Sequence, residues 1–164
     1  LFVLVFLNYL TFSWLLVLDL IFVLILIFVF FFDLKYYLIL DKIVWPGLII
    51  ALVFNLFLGF WIVDLLYGIL IGAGFFGLQY ILTKGRGVGL GDVKLGAMLG
   101  ALLGWQMMLL TLMISYLIGG GVAILLLTKK KKGMKDMLPM GTFLAVGALV
   151  VLLWGSKILE FYWF

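Results

Sequence analysis

The sequence contains neither cysteine nor histidine, and only 11% of its 164 residues are charged. Without cysteine there is no disulfide framework, and without either residue thiolate and imidazole metal sites are excluded. The same absences exclude Ser-His and Cys-His nucleophilic pairs. Any catalysis must therefore use carboxylates, lysines, hydroxyls or backbone groups.

The scarcity of charge is matched by an excess of apolar residues. Hydrophobic residues make up 68% of the chain, and its mean hydropathy is +1.44. Soluble domains are about one quarter charged, and a globule of this size still exposes much of its surface to water. The composition therefore requires the lipid bilayer as solvent.

Apolar runs divide the chain into segments that can cross a bilayer as helices of roughly 20 residues. They predict an all-α, polytopic transmembrane helical bundle of about six spans. The segment that begins at Val93 is short for a full span, since it reaches Trp105 after about 20 Å at 1.5 Å per residue. We predict one span in residues 15–32, two in 46–82 with a break near 59–64, two in 93–128 that turn near Trp105 and Gln106, and one in 137–154.

Basic residues fall into three clusters, each separated from the next by two predicted spans. All three clusters therefore lie on one side of the membrane, which the positive-inside rule identifies as the cytoplasm. We interpret the lysine run as an anchor against anionic lipid and not as a nucleic-acid site. The clusters are Lys35 with Lys42; Lys84, Arg86 and Lys94; and Lys129–Lys132 with Lys135, so that Lys157 alone of the 11 basic residues lies elsewhere.

Two aspartates are predicted at the cytoplasmic edge of the membrane, where ionisable groups are energetically unfavourable and often functional. Asp33 closes the run Phe30-Phe31-Phe32 at a helix end, and Asp92 follows a glycine-rich loop and opens the next helix. The N-terminal helix dipole favours the anion at Asp92, whereas desolvation and the C-terminal dipole favour the neutral acid at Asp33. We therefore expect Asp92 to be the ionised partner, in a pair whose asymmetry suits an aspartyl protease.

The helix that begins near Asp92 carries a stripe of small residues. Gly96, Gly100 and Gly104 follow Asp92 at intervals of four, so all four residues share one helix face. Such a stripe lets another helix approach closely, which directs Asp92 into a helix–helix interface. A glycine packing seam with Asp92 as an interfacial helix cap explains the same spacing.

Three stretches of the chain form distinct motifs. They are Gly89-Leu90-Gly91-Asp92-Val93-Lys94-Leu95, Asp33-Leu34-Lys35-Tyr36-Tyr37-Leu38-Ile39-Leu40-Asp41 and Pro139-Met140-Gly141-Thr142-Phe143-Leu144-Ala145. In this order they resemble the motifs G-x-G-D-x-K-L, D-L-[RK]-x4-I-P-D and P-F-G-P-F-L-A of one family, the type IV prepilin peptidases.

The resemblance implies a membrane aspartyl endopeptidase that removes the basic leader of type IV prepilins or pseudopilins at the cytoplasmic face of the bacterial inner membrane. Asp33 and Asp92 would be its catalytic pair, and it implies no metal or organic cofactor. Residues 15–156 would form the transmembrane peptidase domain, 1–14 the remnant of an N-terminal helix with an external turn, and 157–164 a C-terminal tail. Candidates for substrate contacts or loop structure are Gly89, Gly91, Lys35, Lys94 and Asp41.

The chain departs from the family's pattern at three positions. Leu40 and Thr142 replace prolines, which affects the rigidity of the first loop and the geometry at the start of the last helix, and Met140 replaces phenylalanine. We do not predict the N-methyltransferase activity of many bacterial members, because their paired cysteines are absent. The alternative function is a non-catalytic transport or channel subunit, although transport sites lie near the bilayer midplane.

Overall fold

The computed structural model describes residues 14–85, 87–128 and 138–162, and all of the regular structure in these ranges is helical. The expected all-α fold is therefore confirmed for the described part of the chain. Its five helices are α1 (Trp14–Tyr36), α2 (Asp41–Phe57), α3 (Ile62–Thr83), α4 (Leu90–Thr128) and α5 (Met140–Tyr162).

Helix α4 is interrupted at Gly104, whose φ of 73° and ψ of 177° are not helical. Positive φ is accessible to glycine because it lacks a Cβ. We call residues 90–103 α4a and residues 105–128 α4b. The chain reverses at the break, one residue before the predicted turn at Trp105.

Contacts along the helices establish this reversal. Helix α4a runs antiparallel to α3, because Gly96 lies against Gly72 and Gly104 against Asp64. Helix α4b returns along α3 to the contact of Tyr116 with Gln79. Farther along, α4b runs antiparallel to α5: Met107 contacts Gly155, whereas Gly119 contacts Phe143. The described helices therefore form six antiparallel segments, with Asp33 and Asp92 at one end of the bundle, which we call the carboxylate end.

Four of the described helices, namely α1, α3, α4 and α5, are long and apolar enough to cross a membrane. This number differs from the predicted six for two reasons. Helix α2 has only 17 residues, and the two antiparallel segments of α4 are counted together as one helix of 39 residues. The chain is a multi-pass membrane protein.

Helix α4 lies at the centre of the bundle. It packs against α2, α3 and α5, and α5 also packs against α1. Most buried side chains are apolar, and many large apolar side chains such as Phe31 and Leu117 also lie on the outside, as expected of a bundle in lipid. The largest fully buried side chains include Phe22, Leu26, Phe76, Leu95, Met98, Met108 and Leu144.

Glycines bring α3 and α4a into backbone contact. Gly72 lies against Gly96 and Gly68 against Gly100, and a methyl group on any of the four would overlap the opposite backbone. This close approach resembles the small-residue packing of transmembrane helices. It fixes the position of α4a, which carries Asp92 in its first turn.

The proposed C-terminal tail and N-terminal remnant differ in how much of each the structure describes. Helix α5 continues through Lys157 to Tyr162, so most of the proposed C-terminal tail extends the last helix. The proposed N-terminal remnant lies outside the described residues except for Trp14. Arg86 and the lysine run with Lys135 also lie outside them.

Candidate active site

Asp33 lies in the last turn of α1 and is only 4% exposed. The helix ends three residues later at Tyr36, and Tyr37 then adopts a left-handed φ of 54°. That conformation commonly terminates a helix. It directs residues 37–40 across the carboxylate end towards the start of α2.

Thr142 of α5 provides two hydrogen-bond donors to Asp33. Its backbone N–H lies 2.7 Å from Oδ2 of Asp33, and its hydroxyl Oγ1 lies 3.1 Å from the same oxygen. The hydroxyl is also 3.4 Å from the carbonyl oxygen of Phe30. The carboxyl group of Asp33 is therefore held between the end of α1 and the first turn of α5.

Asp92 lies in the first turn of α4a and is 7% exposed. Its Oδ2 accepts a hydrogen bond from the N–H of Gly89 at 2.9 Å, an arrangement like the reciprocal bond of a capping box. Asp92 thus has a cap-like role in addition to its place beside the glycine stripe. Its Oδ1 is buried and makes no hydrogen bond within the part of the chain that the structure describes.

Asp33 and Asp92 line one cavity of about 260 Å³ at the carboxylate end. Two helix ends thus bring together carboxyl groups that are far apart in the sequence. Within the described ranges, no three potential metal ligands of the His, Cys, Asp and Glu types form a cluster. The other lining residues are Tyr37, Leu38, Ile39, Gly85, Gly87, Val88, Gly89, Leu90, Gly91, Leu138, Pro139 and Met140.

The two carboxyl groups have unequal hydrogen bonding. Thr142 presents two donors to Oδ2 of Asp33, and the backbone N–H of Gly141 also faces this carboxyl group, whereas Oδ2 of Asp92 accepts one bond. Because donors stabilise the anion, this geometry favours the negative charge on Asp33 and the proton on the unbonded Oδ1 of Asp92. The helix dipoles favoured the opposite distribution, with the negative charge on Asp92. They do not include the donors of Thr142, which lies 109 residues beyond Asp33 in the sequence.

Ile39 packs over the starts of two helices beside the carboxyl groups. A methyl group on Gly91 would come within 2.9 Å of the Ile39 Cβ, and one on Gly141 within 2.7 Å of its Cδ1. Glycine at these two positions therefore allows the loop after α1 to close over α4a and α5. Ile39, Tyr37 and Thr142 were not predicted as site residues, because their roles depend on contacts between distant parts of the chain.

The remaining candidates divide into two groups. Gly89 and Gly91 line the cavity, whereas Lys35, Asp41 and Lys94 do not. Lys94 forms an ion pair with Asp41, with 2.7 Å between Nζ and each carboxylate oxygen, and so connects α4a with the start of α2. Lys35 is exposed, and its Nζ lies 5.0 Å from the centre of the Tyr36 ring.

A comparison with known protein families shows to which family this chain is related. The type IV leader peptidase family matches residues 20–124, more than half of the chain and a range that includes both cavity aspartates. The chain belongs to the type IV leader peptidase family. The resemblance seen in the sequence motifs is thereby confirmed.

Individual members of the type IV leader peptidase family align over most of the chain. A prepilin leader peptidase/N-methyltransferase from Pseudomonas putida is 37% identical over 124 residues, which are 72% of this chain and 43% of that protein. One from Stutzerimonas stutzeri is 35% identical, over 79% of this chain and 47% of that protein. The chain thus spans slightly less than half the length of these relatives.

A shorter relative has a length closer to that of this chain. The leader peptidase HopD of Escherichia coli is 35% identical over 128 residues, which are 73% of this chain and 81% of that protein. No solved structure matches the chain.

Proposed function

We propose that this chain is a membrane-embedded aspartyl endopeptidase that removes the basic leader peptide of type IV prepilins or pseudopilins. The observation that carries the proposal is the pair Asp33 and Asp92, two buried carboxyl groups from different helices that line one cavity. Their position at the membrane edge and the names of the relatives support a leader peptide as the substrate. The N-methyltransferase activity in the longer relatives' names is not part of the proposal.

The proposed reaction follows from the unequal hydrogen bonding of the two acids. Ionised Asp33 removes a proton from a water molecule, and the resulting hydroxide attacks the scissile carbonyl carbon. Protonated Asp92 donates its proton to the carbonyl oxygen as the tetrahedral intermediate forms. Asp33 then gives its proton to the leaving amine while the oxygen returns its proton to Asp92, which restores the pair.

The orientation of the bundle supports cleavage at the cytoplasmic face of the bacterial inner membrane. Lys35, Lys42, Lys84 and Lys94 lie near helix ends that meet at the carboxylate end. By the positive-inside rule, this end faces the cytoplasm. Gly89 lines the cavity beside Asp92 and has no side chain, so an extended peptide backbone can approach the acids there.

The test is cleavage of a prepilin-like peptide by the purified chain in micelles or liposomes. We expect Asp33→Asn and Asp92→Asn each to lower kcat by about 10²–10⁴, because each removes an acid–base group while preserving side-chain shape. Asp64→Asn is the matched control, since Asp64 lies in the first turn of α3, against Gly104, at the opposite end of the bundle.

The control separates loss of chemistry from loss of fold. Cleavage that persists in folded Asp33→Asn or Asp92→Asn protein would exclude the proposed pair. An equal loss in the Asp64→Asn variant would show that the substitutions act through the bundle and not through the acids.

A further inference from the structure

Thr142 holds Asp33 at a position where the family's motif has proline. Proline has no backbone N–H and no hydroxyl. The N–H at 2.7 Å and the hydroxyl at 3.1 Å, which both reach Oδ2 of Asp33, would therefore be missing from a proline at this position. The substitution that departs from the motif is thus in direct contact with one of the two cavity acids.

Burial makes this contact important for Asp33. Thr142 is 3% exposed and Asp33 is 4% exposed, so bulk water does not replace a lost donor at Oδ2 easily. The N–H can only donate, so Oδ2 is an acceptor whatever the protonation of the pair. A proton on Asp33 would have to reside on its other oxygen.

The other ionisable groups around Asp33 do not replace these donors. Asp92 and Tyr37 share the cavity with it, and a negative charge on Asp92 would oppose one on Asp33. Lys35 has its ammonium group over the Tyr36 ring, and Lys94 is paired with Asp41. The described first turn of α5 carries no charged side chain.

We propose that Thr142 is a positioning residue that holds Asp33 as the ionised member of the pair and so places the shared proton on Asp92. The chemical roles of the two acids rest on the proposed peptidase function, but the location of the charge does not. Thr142 acts through Asp33 and does not itself contact the reacting atoms.

The decisive measurement is the titration of Asp33, followed by the ¹³C carboxyl resonance of labelled aspartate in the full chain in micelles. The resonance is assigned by its loss in Asp33→Asn. We expect Thr142→Val, which keeps the N–H, to move the titration midpoint of Asp33 upwards by about one pH unit, a tenfold change in the dissociation constant. We expect Thr142→Pro, which loses both donors, to move it further.

Two further variants distinguish positioning from a general effect on packing. Thr142→Ser keeps both donors and should return the midpoint towards that of the parent. Thr111→Val is the matched control, because it removes a buried threonine hydroxyl that is bonded within its own helix to Met107, and it should not move the midpoint.

The same variants predict a change in the pH dependence of cleavage. The acidic limb of the pH–rate profile reports protonation of the ionised acid. This limb should therefore move to higher pH in Thr142→Val and further in Thr142→Pro. A merely structural role for Thr142 would lower the rate equally at every pH.

An unmoved midpoint in folded Thr142→Pro protein would overturn the proposal. If that variant does not fold, an unmoved midpoint in Thr142→Val would overturn it. A parent protein that cleaves no peptide would contradict the proposed function, whereas the Asp33 titration would still decide the role of Thr142.

Discussion

At the scale of single residues, one buried amide stabilises the end of the bundle opposite the carboxylates. Asn55 of α2 is 2% exposed, and its Nδ2 donates to the carbonyl oxygens of Ala101 and Leu102 at 2.9 Å each. Because Gly104 interrupts α4, the last carbonyls of α4a lose their partners in the next helical turn. The amide replaces those partners where lipid offers none.

We expect Asn55→Leu to lower the free energy of unfolding by about 2 kcal/mol, because it leaves two buried carbonyl groups without their donor. Thermal unfolding in detergent micelles measures the change. Gln106→Leu is the control, since Gln106 has an exposed amide side chain just beyond the same break. Equal destabilisation of the two variants would contradict a specific role for Asn55.

The residues of the site differ in how far the sequence could predict them. Asp33 and Asp92 could be found because charge is rare in this chain and each lies at the edge of an apolar run. Thr142 and Asn55 could not be recognised, because their hydrogen bonds join positions that are 109 and 46–47 residues apart. Helix dipoles alone place the charge on Asp92, because they omit the donors of Thr142, which favour the charge on Asp33.

At the scale of elements, the contact between α3 and α4a determines where Asp92 lies. Gly68 and Gly100 meet backbone to backbone, so neither position has space for a methyl group. The sequence predicted the stripe on α4a from its interval of four residues, but it did not reveal the matching glycines of α3 as its partners. Pairing of two stripes is a tertiary property that the spacing within one helix does not contain.

We expect Gly100→Ala to destabilise the bundle by about 1–3 kcal/mol, because the added methyl group must push α3 and α4a apart. The shift should also reduce peptide cleavage by displacing Asp92. Gly74→Ala is the matched control on α3, since a Cβ at Gly74 would meet no atom within 4 Å. Stability and cleavage measured together on the two variants test the effect.

A Gly100→Ala variant as stable and active as Gly74→Ala would show that the helices can separate without consequence. In the control, alanine has the higher helix propensity, by roughly 1 kcal/mol in a helix interior. The control should therefore be neutral or slightly stabilised, whereas Gly100→Ala should be destabilised.

At the scale of the whole molecule, the apolar composition predicts a membrane fold but does not show where α2 and α4a end. Helix α2 is shorter than a typical span, and the reversal at Gly104 leaves α4a only about 21 Å long at 1.5 Å per residue. Hydropathy therefore gave the correct order of apolar segments, but not their lengths. The end of α4a is set by the positive φ of Gly104, which hydropathy does not register.

The orientation of the bundle is testable because the chain has no cysteine, so a single introduced thiol can be labelled without background. Lys42 and Trp61 are both exposed and lie near opposite ends of α2, whose 17 residues extend about 25 Å. The lysines at the carboxylate end place Lys42 in the cytoplasm and Trp61 outside it. We expect a membrane-impermeant maleimide added to spheroplasts to label Trp61→Cys at once and Lys42→Cys only after permeabilisation. Immediate labelling of Lys42→Cys, with Trp61→Cys labelled only after permeabilisation, would place the cavity acids at the outer face. Labelling of both thiols in intact spheroplasts would show that α2 does not cross the membrane.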